Sequence, residues 1–119
     1  MFILADEHSY WWTCEAKVPA DGKFETHDFE LQFRSISPEE AAALDAKIRE
    51  ADLKGDAAAR SLALQAVVTG WRRVTDPEKK DITFHPENLA RACAYPWFRI
   101  AAFQGWQDSQ NGIERKRGN

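Results

Sequence analysis

The stretch YWWTCEAKVPADGKFETHDFELQFR, residues 10–34, decides the fold class. Tyr10, Trp12, Cys14, Ala16 and Val18 alternate with Trp11, Thr13, Glu15 and Lys17. A period of two is the signature of a strand with one buried face. Pro19-Ala20-Asp21-Gly22 follows, a turn cluster in which Gly22 can take a positive φ. Phe29, Leu31 and Phe33 then alternate with Glu30, Gln32 and Arg34, which predicts a second strand and a hairpin. A lone hairpin is not stable in water, so helices from later in the chain are expected to cover its apolar face. Trp11 and Trp12 are neighbours in a strand and point to opposite faces. With Trp12 turned to the core, Trp11 needs a cover on the outer face, from this chain or from another.

The covering helices have local start signals. Ser37-Pro38-Glu39-Glu40 is a capping box with Pro at the first helical position. Ala41, Leu44, Ile48 and Ala51 give the first helix a thin apolar stripe, and Lys54-Gly55-Asp56 ends it. A second helix is expected from Ala57 to Arg72, with Leu64, Val67, Val68 and Trp71 on one face. Gly70 falls inside it, where glycine costs about 1 kcal/mol relative to alanine. A close approach of a backbone or a Trp ring would account for it. Residues 74–84 read as a connector with a solvated charged tip, Glu78-Lys79-Lys80-Asp81, and a short extended return at Ile82-Thr83-Phe84. Pro86-Glu87-Asn88 opens a third helix ending near Ala94, and Pro96 starts a fourth at Trp97. The expectation is a single α+β domain over residues 1–119, an N-terminal β-hairpin packed against a bundle of about four helices. Residues 113–119 are expected to be a flexible basic tail.

Composition narrows the function classes. The 119 residues carry 16 Lys and Arg against 19 Asp and Glu, a net charge of −3, which disfavours a nucleic-acid binder. The acids concentrate in residues 1–60 and the bases in residues 61–119, a polarity that suits contact between copies or with a partner. No apolar run approaches the length of a membrane span, and the start Met1-Phe2-Ile3-Leu4-Ala5-Asp6-Glu7 lacks the features of a secretory signal. His8, His27 and His85 lie far apart, and Cys14 and Cys93 have no Cys-x-x-Cys partner. The cysteines read as small buried apolar residues in a reducing compartment. Gly22, Gly55 and Gly70 are isolated, so there is no phosphate-cradling loop, and Glu39 and Glu40 are explained by the helix cap. The expectation is no catalytic residues, no metal and no cofactor.

The aromatic content points elsewhere. Five Trp and seven Phe are many for this length, and aromatics are enriched in cores and at interfaces. In the fourth helix Trp97, Phe98, Ile100, Ala101, Ala102, Phe103 and Trp106 cover nearly all angles. Such a helix is either central or sandwiched between its own core and a partner. The candidate partner-binding residues are Trp11, Trp97, Phe103 and Trp106, with Arg115, Lys116 and Arg117 behind them, and one of Trp97, Phe103 and Trp106 is expected to belong to the core.

Several segments in order carry a family resemblance. They are Val18-Pro19-Ala20-Asp21-Gly22-Lys23-Phe24 with the Phe29/Phe33 pair, Val67-Val68-Thr69-Gly70-Trp71, Val74-Thr75-Asp76, Phe84-His85-Pro86-Glu87-Asn88-Leu89, Tyr95-Pro96 and the basic end Arg115-Lys116-Arg117-Gly118-Asn119. Together they cover most of the chain, which resembles the tail assembly chaperones of long-tailed bacteriophages. His85 stands where that family often has a helix-capping Thr, and is expected to cap less well. The resemblance implies an α+β fold and a non-enzymatic role. Such proteins bind the tape-measure protein, keep it soluble, help recruit the major tail tube protein and then leave. It further implies a homo-oligomer in the host cytoplasm, absent from the mature virion, with neither nucleic acid nor membrane as partner. The alternative is a structural tail-completion or connector subunit retained in the particle.

Overall fold

The computed structural model describes residues 1, 2, 4 and 8–117, with side chains described as far as residue 111. The elements run β1 (Ser9–Ala20), β2 (Lys23–Arg34), α1 (Pro38–Lys54), α2 (Ala57–Gln65), β3 (Val68–Arg72), α3 (Pro86–Cys93) and α4 (Pro96–Arg117). This is a small α+β domain in which four helices cover one face of an antiparallel three-stranded sheet of order β1-β2-β3.

The hairpin forms as its alternation dictates. Ala20 pairs with Lys23 across the two-residue turn Asp21-Gly22, and the register runs unbroken to Ser9 opposite Arg34. Asp21 and Gly22 both have positive φ (48° and 79°), the geometry that fits the right-handed twist of the strands. Cys14, Ala16, Phe29, Leu31 and Phe33 are buried on the inner face, with Trp12 and Val18 half-buried beside them. The helix caps also follow the sequence. Ser37 Oγ accepts from the Glu40 N–H at 3.1 Å, and Asp56 Oδ1 accepts from the Ala59 N–H at 3.0 Å. His85 caps α3: its Nδ1 accepts from the Glu87 N–H at 3.2 Å.

The second helix is shorter than the sequence reading. It ends at Gln65, and residues 68–72 are a third strand instead of its last turns. Leu64, Val67, Val68 and Trp71 happen to satisfy helical spacing. The β-branched run Val67-Val68-Thr69 followed by Gly70 is nonetheless a poor helix former. Pairing to β2 prevails: Leu31 lies opposite Trp71 and Gln32 opposite Gly70, with a bulge between Gln32 and Phe33. Arg34 seals the approach, its N–H bonding Val67 O at 2.9 Å and its Nε donating to Ala66 O at 2.6 Å.

Gly70 is therefore a strand glycine, on the outer face under Trp11. A Cβ there would lie 3.6 Å from Trp11 Cη2 and 3.1 Å from Gln32 Oε1, the mobile end of a side chain. Gly70→Ala is expected to be tolerated, with a gain of up to about 0.5–1 kcal/mol in urea denaturation because alanine orders at less entropic cost. A loss beyond about 1 kcal/mol would mean that Trp11 and Gln32 cannot give way.

Helix α4 lies against the inner face of β1. Ala101, Ala102 and Trp106 are buried, and a Cβ at Gly105 would run into Cys14 Sγ, so helix and strand meet at van der Waals distance only because position 105 has no side chain. At the far end Tyr10 Oη shares a 2.8 Å hydrogen bond with Ser109 Oγ and accepts from Gln110 Nε2 at 3.0 Å. The side chains of Arg115, Lys116 and Arg117 lie outside the described residues, and so does the expectation of a frayed basic end that rests on them.

Candidate partner-binding surface

An open groove of about 560 Å³ runs where the distal half of the hairpin, the connector after β3 and the α3–α4 corner meet. Its floor is aromatic. Phe29 and Phe98 stack with centroids 4.6 Å apart, and Trp71 meets Phe98 edge-on at 6.2 Å and Phe84 edge-on at 5.4 Å. Val18, Val74 and Ile82 make its walls. Trp71 is fixed by its Nε1, which donates to Ile82 O at 2.7 Å, so β3 and the connector are tied together beneath the groove. The connector is held in turn by Asp76, whose Oδ1 accepts from the N–H groups of Glu78 and Lys80. On the lip, Tyr95 stacks on Trp97 at 5.5 Å, and both are exposed, Tyr95 at 55%. Besides the Tyr95 phenol, the ionisable groups lining the groove are His27, Asp28, Arg73 and Arg91.

The sequence-derived candidates fall in different places. Trp97 is on the lip of this groove. Trp11 is on the opposite face of the sheet and takes its cover from its own chain, with the Arg72 guanidinium 3.5 Å above its ring. Phe103 is half-buried in a separate recess of about 200 Å³ that Arg60, Arg99 and Ile100 also line. Trp106 is corrected outright: it is 1% exposed and edge-on to Phe33 at 5.4 Å, so it is the core member of the trio and offers no surface. Phe29, Phe98, Val74 and Ile82 were not singled out as site residues. The pair Tyr95-Pro96 marked the corner, but Val74 and Ile82 sit in a segment read as a polar connector, and only their pairing (Ile82 N–H to Val74 O, 2.9 Å) brings them into one wall.

Among the described residues no group of three or more His, Cys, Asp or Glu is placed to hold a metal ion, and no helix is long and apolar enough to cross a membrane. Both cysteines are free and buried. Burial, aided by the Asp108 carboxylate, pushes the Cys14 thiol up to about 12. Burial pushes Cys93 up to about 11, against the opposing pull of Arg99. A nucleophilic role needs the thiolate, and these sites suppress it.

Below the ordinary thiol value of 9.0 both folded and unfolded chains keep these protons. Above it the unfolded chain releases them first, so stability falls with rising pH by up to about 1.4 kcal/mol per unit for each thiol until the folded values are reached. Urea midpoints are expected to drop between pH 9 and 10.5 in wild type and to drop less in Cys14→Ala. Equal slopes in the two chains would contradict the burial argument.

Comparison of the chain with protein-family models, with curated proteins and with solved structures finds no match.

Proposed function

We propose that this protein is a non-enzymatic tail assembly chaperone of a long-tailed bacteriophage. In this reading it acts in the host cytoplasm, holds the tape-measure protein in solution, helps recruit the major tail tube protein, and is left out of the finished particle. The observation that carries the binding role is the open groove, whose aromatic floor joins the core and whose lip, Tyr95 and Trp97, is left exposed among the described residues. Uncovered apolar grooves of this kind accept the apolar face of an amphipathic helix, with side chains at helical spacing filling successive pockets. A tape-measure protein is long and helical and aggregates through such faces when they are bare. The net charge of −3 helps keep a complex dispersed. The assignment to phage tails rests on the sequence resemblance.

The test is co-expression with the tape-measure protein of the same genome. Wild type is expected to keep it in the soluble fraction and to co-purify with it. A double variant, Tyr95→Asp with Trp97→Asp, is expected to fold, because both side chains are exposed, and to lose most of the soluble client. A client equally soluble with and without this protein would overturn the reading, as would finding the protein in purified virions at stoichiometric amounts.

A further inference from the structure

We infer that the recess between α1, α2 and α4 binds a small organic acid, a single carboxylate carried on a compact apolar body. The recess shares no lining residue with the groove, so the inference is independent of the tape-measure reading.

The first observation is a thinly paired guanidinium. The Arg60 side chain is only 13% exposed, and its Nη1 donates to Asp52 Oδ1 at 3.2 Å. Its Nε is shut away from water and has no hydrogen-bond partner among the described residues. A charge taken out of water is held at low cost only when it is well paired and its donors are satisfied. Asp52 is half-exposed and shares its charge with water, so it offsets that cost in part.

The second is a local excess of positive charge. Arg60 lines the recess from α2, and Arg99 lines it from α4. Arg99 Nη1 donates to Cys93 O at 2.9 Å, so this second guanidinium is anchored by a neutral carbonyl at the end of α3. Among the described residues Asp52 is the only carboxylate on the lining. Two fixed cations against one anion leave the recess one positive charge in excess. In a partly enclosed space that charge is screened less than on an open surface. A monoanion restores the balance, and a carboxylate matches the fork of donors that a guanidinium presents.

The third is the apolar part of the lining. Ile48 and Leu64 are buried and Phe103 is half-buried there. An inorganic anion would leave these side chains unused, whereas an acid with an apolar body covers them. Ligand sites commonly combine an apolar lining with a few placed polar groups, and those for drug-sized molecules measure about 300–1,000 Å³. At about 200 Å³ the recess is smaller, so the body is a single ring or a short chain.

Benzoate is the probe, with benzamide as its neutral counterpart and acetate as the charge without the ring. Isothermal titration of the full chain is expected to give one benzoate site with Kd of about 0.1–1 mM. Benzamide and acetate are each expected to bind at least about 10-fold more weakly. Two variants place the site. Ile100→Glu adds a carboxylate to the lining at a side chain that is 64% exposed, so the chain is expected to fold and to lose about 10-fold in benzoate affinity. Arg60→Gln removes the buried guanidinium and is expected to lose at least as much. Thermal melts check folding, and Arg99→Gln replaces Arg60→Gln if that chain does not fold. N-acetylphenylalanine offers the same chemistry as the end of a peptide. Tighter binding than benzoate assigns the site to a chain terminus and weaker binding to a free acid, and both support it. The inference is overturned if benzoate does not bind by about 10 mM, if benzamide binds equally well, or if the folded variants bind benzoate as wild type does.

Discussion

Trp106→Asp is expected to be unfolded at room temperature. Trp106 is 1% exposed, between Phe33 and the body of α4, and its loss to alanine alone would cost about 3–5 kcal/mol. A carboxylate in its place adds the penalty of a buried charge without a partner. Domains of this size have about 5–15 kcal/mol in total, so the sum consumes most or all of it. Far-UV circular dichroism and the soluble yield read the result. A folded Trp106→Asp chain with a wild-type melt would return this residue to the surface and invalidate the packing of α4 on the sheet.

Phe33→Ala is expected to cost about 3–5 kcal/mol. Phe33 is fully buried, contacts the ring of Tyr10 at 5.9 Å as well as that of Trp106, and sits at the bulge where β2 hands over to β3. The cavity would open where sheet and α4 are joined, with little freedom to collapse. A urea denaturation series measures it, and a loss below about 1 kcal/mol would show that the site relaxes around the missing ring.

The hairpin, its turn and the cap at Ser37 were legible because each is a local matter: alternation, a turn dipeptide, a side chain within three residues of an amide. The third strand was not. Residues 64–71 fit a helical stripe by spacing, and only the free edge of β2, far away in sequence, decides that Val68–Arg72 extends instead. The candidate site was half legible. Trp97 and Tyr95 announce themselves as aromatic residues around a proline, but the groove floor needs Phe29 beside Phe98, sixty-nine positions apart. Trp106 could not be told from Trp97 by pattern, because a helix with apolar residues on all sides does not say which side meets its own sheet. Gly105 carried a signal that a helix glycine can give: a place where a strand comes too close for a methyl group.

The tie between Tyr10 and Ser109, and the seating of Gly105 on Cys14, join the two ends of the chain order. The inner face of β1 and β2 is thus made before the helix that closes it. Until α4 emerges, Phe29 and Phe33 lack the rings of Phe98 and Trp106 that pack on them, and that side of the sheet is open. Closure waits on contacts of very long sequence separation, which slows folding. An incomplete chain therefore exposes apolar sheet that other incomplete chains can pair with, the route by which a late-closing core aggregates.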